Sequence, residues 1–516
     1  MNKLVICVIS VFILCLLIGN IYFLFFYKEP VEEDEEEKVI EETVTVDNTI
    51  SPENTTQGVF LEIKRIHKKG IENEFRKIGN SWKEKPTFHF EAVVDDAIWI
   101  GNDINDWDTG YIGWESLKDV EDEQVSATVD FKIFEIKKKL FGTEELEMES
   151  FSVIYNFKTG RWSGDDSFND SDGYGHVNGK NYEIWFSLNQ FDVDSDGIPF
   201  WTENNILGTN PWVDDSKLDP DNDSIPTSWE WEWGYDPFKP DNHTILDPDL
   251  DGLENIEEYK MEKWLANPFY KEIYCEVDFM EKGHFYEMDH VLWKESQWMV
   301  MDRFSSHFIT LHVDDGWPSG LTNGGGEFLR YIEETIEPGS GVASEFYKYH
   351  FSDERKGIFR YIFIQAGEIG WVNPQDSDWH PDTLSLPASR KLYFHMMFPP
   401  AITPRLHRLT MAVSFIHEMG HSLGIYNGVI AGCDNRSMVG RNSLPPLQKL
   451  KVKIDAIKYW DSYDSVMNYN KFGQYALDYS DGSHGVNDFD DWGFINLTYF
   501  QDKSSSRYGI GDDYKH

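Results

Sequence analysis

The sequence predicts a multidomain chain: an N-terminal transmembrane helix, an all-β sandwich-like domain, a set of acidic loop repeats, and an α/β (α+β) domain carrying a histidine-bearing helix. Three observations predict it. Residues 4–27 are apolar for 24 positions, broken only by Ser10, Gly19 and Asn20. Up to about residue 190, polar and apolar residues alternate with period two between Gly/Asn/Asp clusters. A threefold aspartate spacing then gives way to mixed strand and helix patterns. With 516 residues, 40% hydrophobic and 15% aromatic, the chain has material for several cores. Its 46 Lys and Arg against 91 Asp and Glu leave a net charge of −45. Binding nucleic acid requires a basic face, so that partner class is excluded and bound cations are favoured.

Residues 1–27 read as a signal anchor. A helix needs ~20 apolar residues to cross ~30 Å of hydrocarbon, and no small-x-small cleavage site follows. This predicts a single-pass protein of the cell membrane, held through its N-terminal helix, with the bulk of the chain outside. Residues 28–57, containing Glu32-Glu33-Asp34-Glu35-Glu36-Glu37, read as a solvated acidic linker. Residues 58–190 form the sandwich-like domain, with strands expected at 87–94, 127–134 and 182–186.

Residues 191–265 carry three copies of one pattern. Asp192, Asp194 and Asp196 are followed by Glu203; Asp219, Asp221 and Asp223 by Glu230; Asp247, Asp249 and Asp251 by Glu258. Each copy sets carboxylates at loop positions 1, 3, 5 and 12. Calcium takes six to eight oxygens at ~2.3–2.6 Å, which alternating aspartates and a distant glutamate supply. Position six needs an unusual backbone angle; it is Gly197 and Gly252 in two copies and Ser224 in the middle one. From Asp192 to Glu258 there are 19 acidic residues against Lys217 and Lys239, so the segment repels itself unless cations bind. About three Ca2+ ions are expected. Pro199 and Pro226, with turns after each copy, argue against paired EF-hands, and the pattern resembles thrombospondin type 3 repeats. That resemblance implies a calcium-stiffened spacer.

Residues 266–516 mix expected strands at 271–278, 308–313, 359–364 and 391–396 with a helix near 286–304. Residues 409–424 read LTMAVSFIHEMGHSLG, a helical pattern closed by Gly424. Histidines at i and i+4, His417 and His421, share one helix face, where both imidazoles reach one ion ~2.0–2.1 Å away. Glu418 lies beside that ion, placed to take a proton from water. Downstream stands Ser465-Val466-Met467-Asn468-Tyr469. HExxHxxG followed by S-V-M-N-Y resembles a metzincin zinc peptidase of the pappalysin-like branch. The resemblance implies a metzincin-like peptidase domain with one Zn2+. His417 and His421 are then ligands, Glu418 the general base and acid, Met467 the Met-turn floor, and Tyr469 a stabiliser of the oxyanion.

The family's third ligand falls three residues after the glycine, where this chain has Asn427, a poor zinc donor. Asp434 and His484 are the alternatives, with Asp434 favoured because a short loop returns it towards the helix end. Cys275 and Cys433, the two cysteines outside the apolar segment, are either disulfide-bonded or separate buried thiols. Two functions follow. One is an anchored extracellular zinc endopeptidase acting on a protein or peptide substrate. The other is a catalytically degenerate peptidase fold serving as a calcium-dependent surface binding or structural protein. Substrate specificity and oligomeric state are not encoded in any readable motif.

Overall fold

A computed structural model describes residues 57–499, apart from 78–82, 111, 121–123, 140–141, 170, 285–286, 288, 317–324, 368–369, 373–381, 388–402, 427–428, 431, 435–444, 473 and 475. The described residues fall in one compact unit. Ten strands build its first part: β1 (Gln57–Lys68), β2 (Thr87–Val94), β3 (Ala97–Ile100), β4 (Ile104–Asn105), β5 (Trp114–Val120), β6 (Ser126–Lys138), β7 (Thr143–Asn156), β8 (Arg161–Gly164), β9 (Gly175–Asn178) and β10 (Tyr182–Gln190). They make an antiparallel sheet in the order β5-β1-β10-β9 and a second in the order β3-β2-β6-β7-β8, with β4 added to β2. Period-two alternation puts Val59, Leu61 and Ile63 of β1 and Phe88, Phe90, Ala92 and Val94 of β2 into one core between the sheets. The rings of Phe90, Phe131, Phe151 and Phe186 stack in sequence through it, at centroid spacings of 5.2, 5.2 and 4.7 Å.

The carboxyl-terminal part is built on a predominantly parallel sheet. Its strands are β11 (Glu272–Met280), β12 (Thr310–Asp314), β13 (Phe328–Leu329), β14 (Phe359–Gln365), β15 (Trp371–Val372) and β16 (Thr383–Pro387). The order is β12-β11-β14-β16-β15, with β13 also on β11, and β15 alone runs antiparallel to its neighbour. Every residue of β11 and β14 is buried, as expected of parallel strands covered on both faces. Alternate residues feed two cores. Ile273, Cys275, Val277, Ile362 and Ile364 face one, and Tyr274, Met280, Phe359, Tyr361 and Phe363 the other.

Eight helices are used below: α1 (Ile71–Arg76), α2 (Thr227–Glu232), α3 (Asn255–Lys260), α4 (Lys294–Ser305), α5 (Gly341–His350), α6 (Thr403–Ser422), α7 (Pro446–Tyr459) and α8 (Tyr469–Phe472). Helices α4 and α6 share the first core with the sheet, and α5 lies in the second.

The expected fold class requires correction. Among the described residues no helix is long and apolar enough to cross a membrane. The apolar run at 4–27, on which the transmembrane helix and the membrane location were based, lies outside them, as do the acidic linker before Gln57 and the strand expected at 391–396. The described chain is instead sheet-rich with few helices. Long alternating and β-branched runs dominate its sequence, and most helices are short segments between strands.

The sandwich docks on α4 through buried polar contacts. Arg65 holds Asp108 by two hydrogen bonds, Nε–Oδ1 at 3.0 Å and Nη2–Oδ2 at 2.5 Å. His67 lies 3.4 Å from Asp108 and 3.0 Å from Asp302 of α4, whose second oxygen accepts from Gly70 N. Ser305 donates to Glu183 at 2.9 Å, and Ile71 and Phe75 of α1 join the core of the parallel-sheet domain. Burial alone would push the His67 pKa down, but the two aspartates override it and raise it to about 9. Its stabilising charge is therefore fully present below its unfolded value of ~6.5 and is lost as pH rises through about 9. Chemical denaturation should show stability falling between those two values. A His67→Gln variant should lose that part of the slope, and an unchanged profile in the variant would refute the assignment.

Candidate metal centres

Helix α6 forms because Met411, Ala412, Phe415, Ile416 and Met419 recur on the face that packs into the first core. It ends at Gly424, whose φ of +95° turns the chain so that Ile425 N bonds back to Gly420 O at 2.9 Å. That turn brings Ile425 O to 2.6 Å from His421 Nδ1. The 465–469 turn supplies the matching acceptor, Val466 O, 3.0 Å from His417 Nδ1. Both imidazoles therefore donate from Nδ1 to main-chain carbonyls and present Nε2 lone pairs elsewhere, the arrangement found around ligating histidines.

Those nitrogens point at Asp434. His417 Nε2 lies 3.3 Å and His421 Nε2 3.5 Å from Asp434 Oδ1, an oxygen that is buried and makes no hydrogen bond. Ligands ~2.0–2.2 Å from a common tetrahedral ion stand about 3.3–3.6 Å apart. The donor set thus fits one zinc-sized ion. Asp434 sits at a left-handed φ of 57°, and its N–H donates to Met467 O at 2.8 Å. Burial favours the neutral carboxyl, but the two imidazoles hold its pKa well below the usual range. His421 shifts the other way: burial lowers its pKa, and Asp434 and Glu418 more than compensate.

Glu418 is 7% exposed, and burial raises its pKa while both histidines oppose that rise. The chain passes close by at Gly370, just before edge strand β15; a Cβ there would come 2.6 Å from Glu418 Oε1. Met467 is fully buried beneath the helix, with its sulfur against Gly420. The Tyr469 ring stacks on His417 at 5.6 Å and is 46% exposed. Asn427 lies outside the described residues, and His484 bonds Asp488 instead. Cys275 and Cys433 are separate buried thiols.

The three acidic loops repeat one hydrogen-bond scheme. The position-1 aspartate accepts from two N–H groups of its own loop: Ser195 and Gly197 on Asp192, Asp223 and Ser224 on Asp219, Asp251 and Gly252 on Asp247. The position-5 aspartate accepts from position 7 and from a distant N–H: Asp215 to Asp196, Asp241 to Asp223, and Glu272 to Asp251. Positions 4 and 6 are left-handed throughout, including Ser224 at φ 84°. The position-12 glutamates ride on short helical segments and are buried. Both carboxylate oxygens of Glu230 and Glu258, and those of Asp194 and Asp221, have no hydrogen-bond donor. Burial, reinforced by neighbouring carboxylates, raises Asp194 and Asp196 to about 6, Glu203 to about 8, Asp251 to about 7 and Asp249 to about 9. Donor-free buried carboxylates of this kind fit cation binding.

Sequence reasoning missed Asp215, which is buried beside Asp196 and has Oδ1 without a donor, and His243 in the middle loop. Asp215 and Asp241 follow their position-5 aspartates by 19 and 18 residues, and that near-repeat was the available signal for the first. Nothing local marks His243.

No family model and no curated protein matches the chain. Among solved structures, one similar chain is a Drosophila C2-DSL-EGF1 structure, at 6% identity and a TM-score of 0.19, covering 26% of this chain and 67% of that one. Another is human GIVD cytosolic phospholipase A2 with methyl γ-linolenyl fluorophosphonate, at 6% identity and 0.17, covering 26% and 17%. At those TM-scores the likenesses carry no argument.

Close packing under the helix gives one test. A Cβ at position 420 would stand 2.6 Å from Met467 Sδ and 2.9 Å from Tyr479 Cε1. Gly420→Ala should therefore destabilise the fold by about 1–3 kcal/mol, read as a lower urea midpoint. An unchanged midpoint would show that the floor yields freely.

Proposed function

We propose that the chain is a zinc-dependent endopeptidase of the metzincin type, with a cation-stiffened acidic segment between its sandwich and its catalytic domain. The observation that carries this reading is the convergence of His417 Nε2, His421 Nε2 and Asp434 Oδ1 at tetrahedral-edge distances beside a buried glutamate. A zinc ion held by those three residues supplies Lewis acidity, polarising a carbonyl and acidifying water near neutrality. Glu418, desolvated and raised in pKa, accepts the proton of the attacking water and returns it to the leaving amine. Tyr469, stacked on a ligand ring with its face half open to solvent, donates to the oxyanion that develops on the substrate carbonyl. Strand β15, an edge strand among the described residues, follows the residue packed against Glu418 and offers main-chain groups to an extended peptide.

Two measurements test the site. Glu418→Gln should keep the zinc content of the unsubstituted chain while casein cleavage falls by about 10²–10⁴-fold. Asp434→Asn should lose one zinc equivalent relative to the unsubstituted chain, together with activity. Zinc content unchanged in Asp434→Asn, or cleavage surviving in Glu418→Gln, would overturn the roles assigned.

The acidic segment has its own test. With about three cations bound, residues 191–260 should resist trypsin and become susceptible in a chelator, with cleavage mapped by mass spectrometry at Lys217. Identical digestion patterns with and without chelator would exclude a cation-stabilised segment.

A further inference from the structure

We propose that the middle acidic loop is a transition-metal site rather than a third calcium site, with His243 as its nitrogen ligand. This inference rests on the reading of the acidic loops as cation sites and concerns which ion the middle one selects.

The three loops share a backbone scheme but not a donor set. Two residues beyond the distant N–H that bonds each position-5 aspartate stand Lys217, His243 and Tyr274. Lys217 is exposed, and the Tyr274 hydroxyl donates to Glu272 at 2.7 Å. His243 alone brings a nitrogen to the carboxylates of its loop. The residue is fully buried, and its Nε2 lies 3.2 Å from Asp223 Oδ2 and 3.9 Å from Glu230 Oε1 without a hydrogen bond. Asp223, Glu230 and His243 offer ligand atoms that all fall within 4.8 Å of one another. Asp221, at position 3 of the same loop, contributes two further oxygens without donors.

The imidazole is held rigidly. Its ring meets Trp229 edge-on at 5.9 Å and Tyr235 at 4.8 Å, and its Nδ1 is 2.9 Å from the Asn255 side-chain amide. The same amide lies 2.8 Å from the Tyr235 hydroxyl, and its Oδ1 has no partner; exchanging its oxygen and nitrogen lets both the Tyr235 hydroxyl and Nδ1–H donate to Oδ1 and leaves the Nε2 lone pair facing the acids. A histidine so oriented among three carboxylates makes a site of one nitrogen and three or more oxygens. Calcium takes oxygen ligands. An imidazole in the set shifts preference towards ions such as Zn2+, with affinity following ligand type and the Irving–Williams order. Ser224 in place of glycine separates this loop from its neighbours without altering its backbone, since its φ of 84° matches theirs.

The test uses the full chain carrying His417→Gln/His421→Gln, which removes imidazole from the first centre. This protein is equilibrated with Ca2+ and a small excess of Zn2+, desalted, and its metal content measured. The expected result is one Zn2+ and two Ca2+ per chain, with the zinc equivalent lost on adding His243→Gln. Three Ca2+ and no Zn2+ before that substitution, or zinc content unaffected by it, would overturn the proposal. Absence of any bound cation would overturn it together with the reading of the loops as cation sites, a distinguishable failure. Should the His243 variant not fold, pulsed EPR of the parent double variant loaded with Mn2+ decides. Coupling to an imidazole ¹⁴N supports the site, and its absence refutes it.

Discussion

Two backbone carbonyls, Ile425 O and Val466 O, fix the direction of both imidazoles, and the arrangement of the candidate centre depends on them. Without those acceptors the Nδ1–H groups of His417 and His421 would be buried donors lacking partners, and nothing would set the tautomer. Each carbonyl is placed by a turn with its own local cause: the left-handed glycine that ends α6, and the 465–469 turn. Asn468 holds the second turn by donating to Trp460 O and Tyr463 O at 2.9 and 2.7 Å. The same turn offers Met467 O to Asp434 N. One pentapeptide thus orients the first histidine, seats the carboxylate and fills the space beneath the helix.

The acidic segment is governed by a different balance. Seventeen net negative charges between Asp192 and Glu258 oppose compaction, yet the position-12 glutamates are buried. Backbone N–H groups stabilise the first and fifth aspartates of each loop, while Asp194, Asp221, Glu230 and Glu258 keep both carboxylate oxygens without donors, and Asp249 and Glu203 keep one each. Cations bound to those unmet carboxylates would couple folding of the segment to their presence. The coupling would reach the parallel-sheet domain because Asp251 Oδ2 accepts from Glu272 N, the first residue of β11. A cation in the last loop would therefore brace the strand on which the parallel sheet is built.

Where one period dominated the sequence, the fold was legible. The alternation at 87–94 coincides with β2, and the apolar runs near 271–278 and 359–364 correspond to β11 and β14 within one or two residues. His417 and His421 were readable because helix periodicity puts them on one face, and Glu418 because it stands next to the first of them. Asp434 was reachable only as a preference: sequence shows a carboxylate on a short return loop but not the N–H bond to Met467 that seats it. His243 was not legible. Its place among the loop acids depends on rings from Trp229 and Tyr235 and on an amide twelve residues later, contacts that no spacing rule encodes. The transmembrane element was inferred from apolar length alone, and the described fold offers no helix of that kind.

The sheet order bears on why a reactive centre would lie where it does. Parallel strands β11, β14 and β16 are paired on both sides, so their main-chain groups are spent within the sheet. Among the described residues β15 is an edge strand, and it is the one strand antiparallel to its neighbour. An open edge is ordinarily a liability, because any extended chain can pair with it. Here the residue preceding that edge, Gly370, packs against Glu418: a Cβ there would come 2.6 Å from Glu418 Oε1. A peptide added to the edge would therefore run past the group assigned to proton transfer. A surface-binding module on a degenerate fold would need the edge but not a buried, desolvated glutamate beside it. The two features together weigh the balance towards hydrolysis.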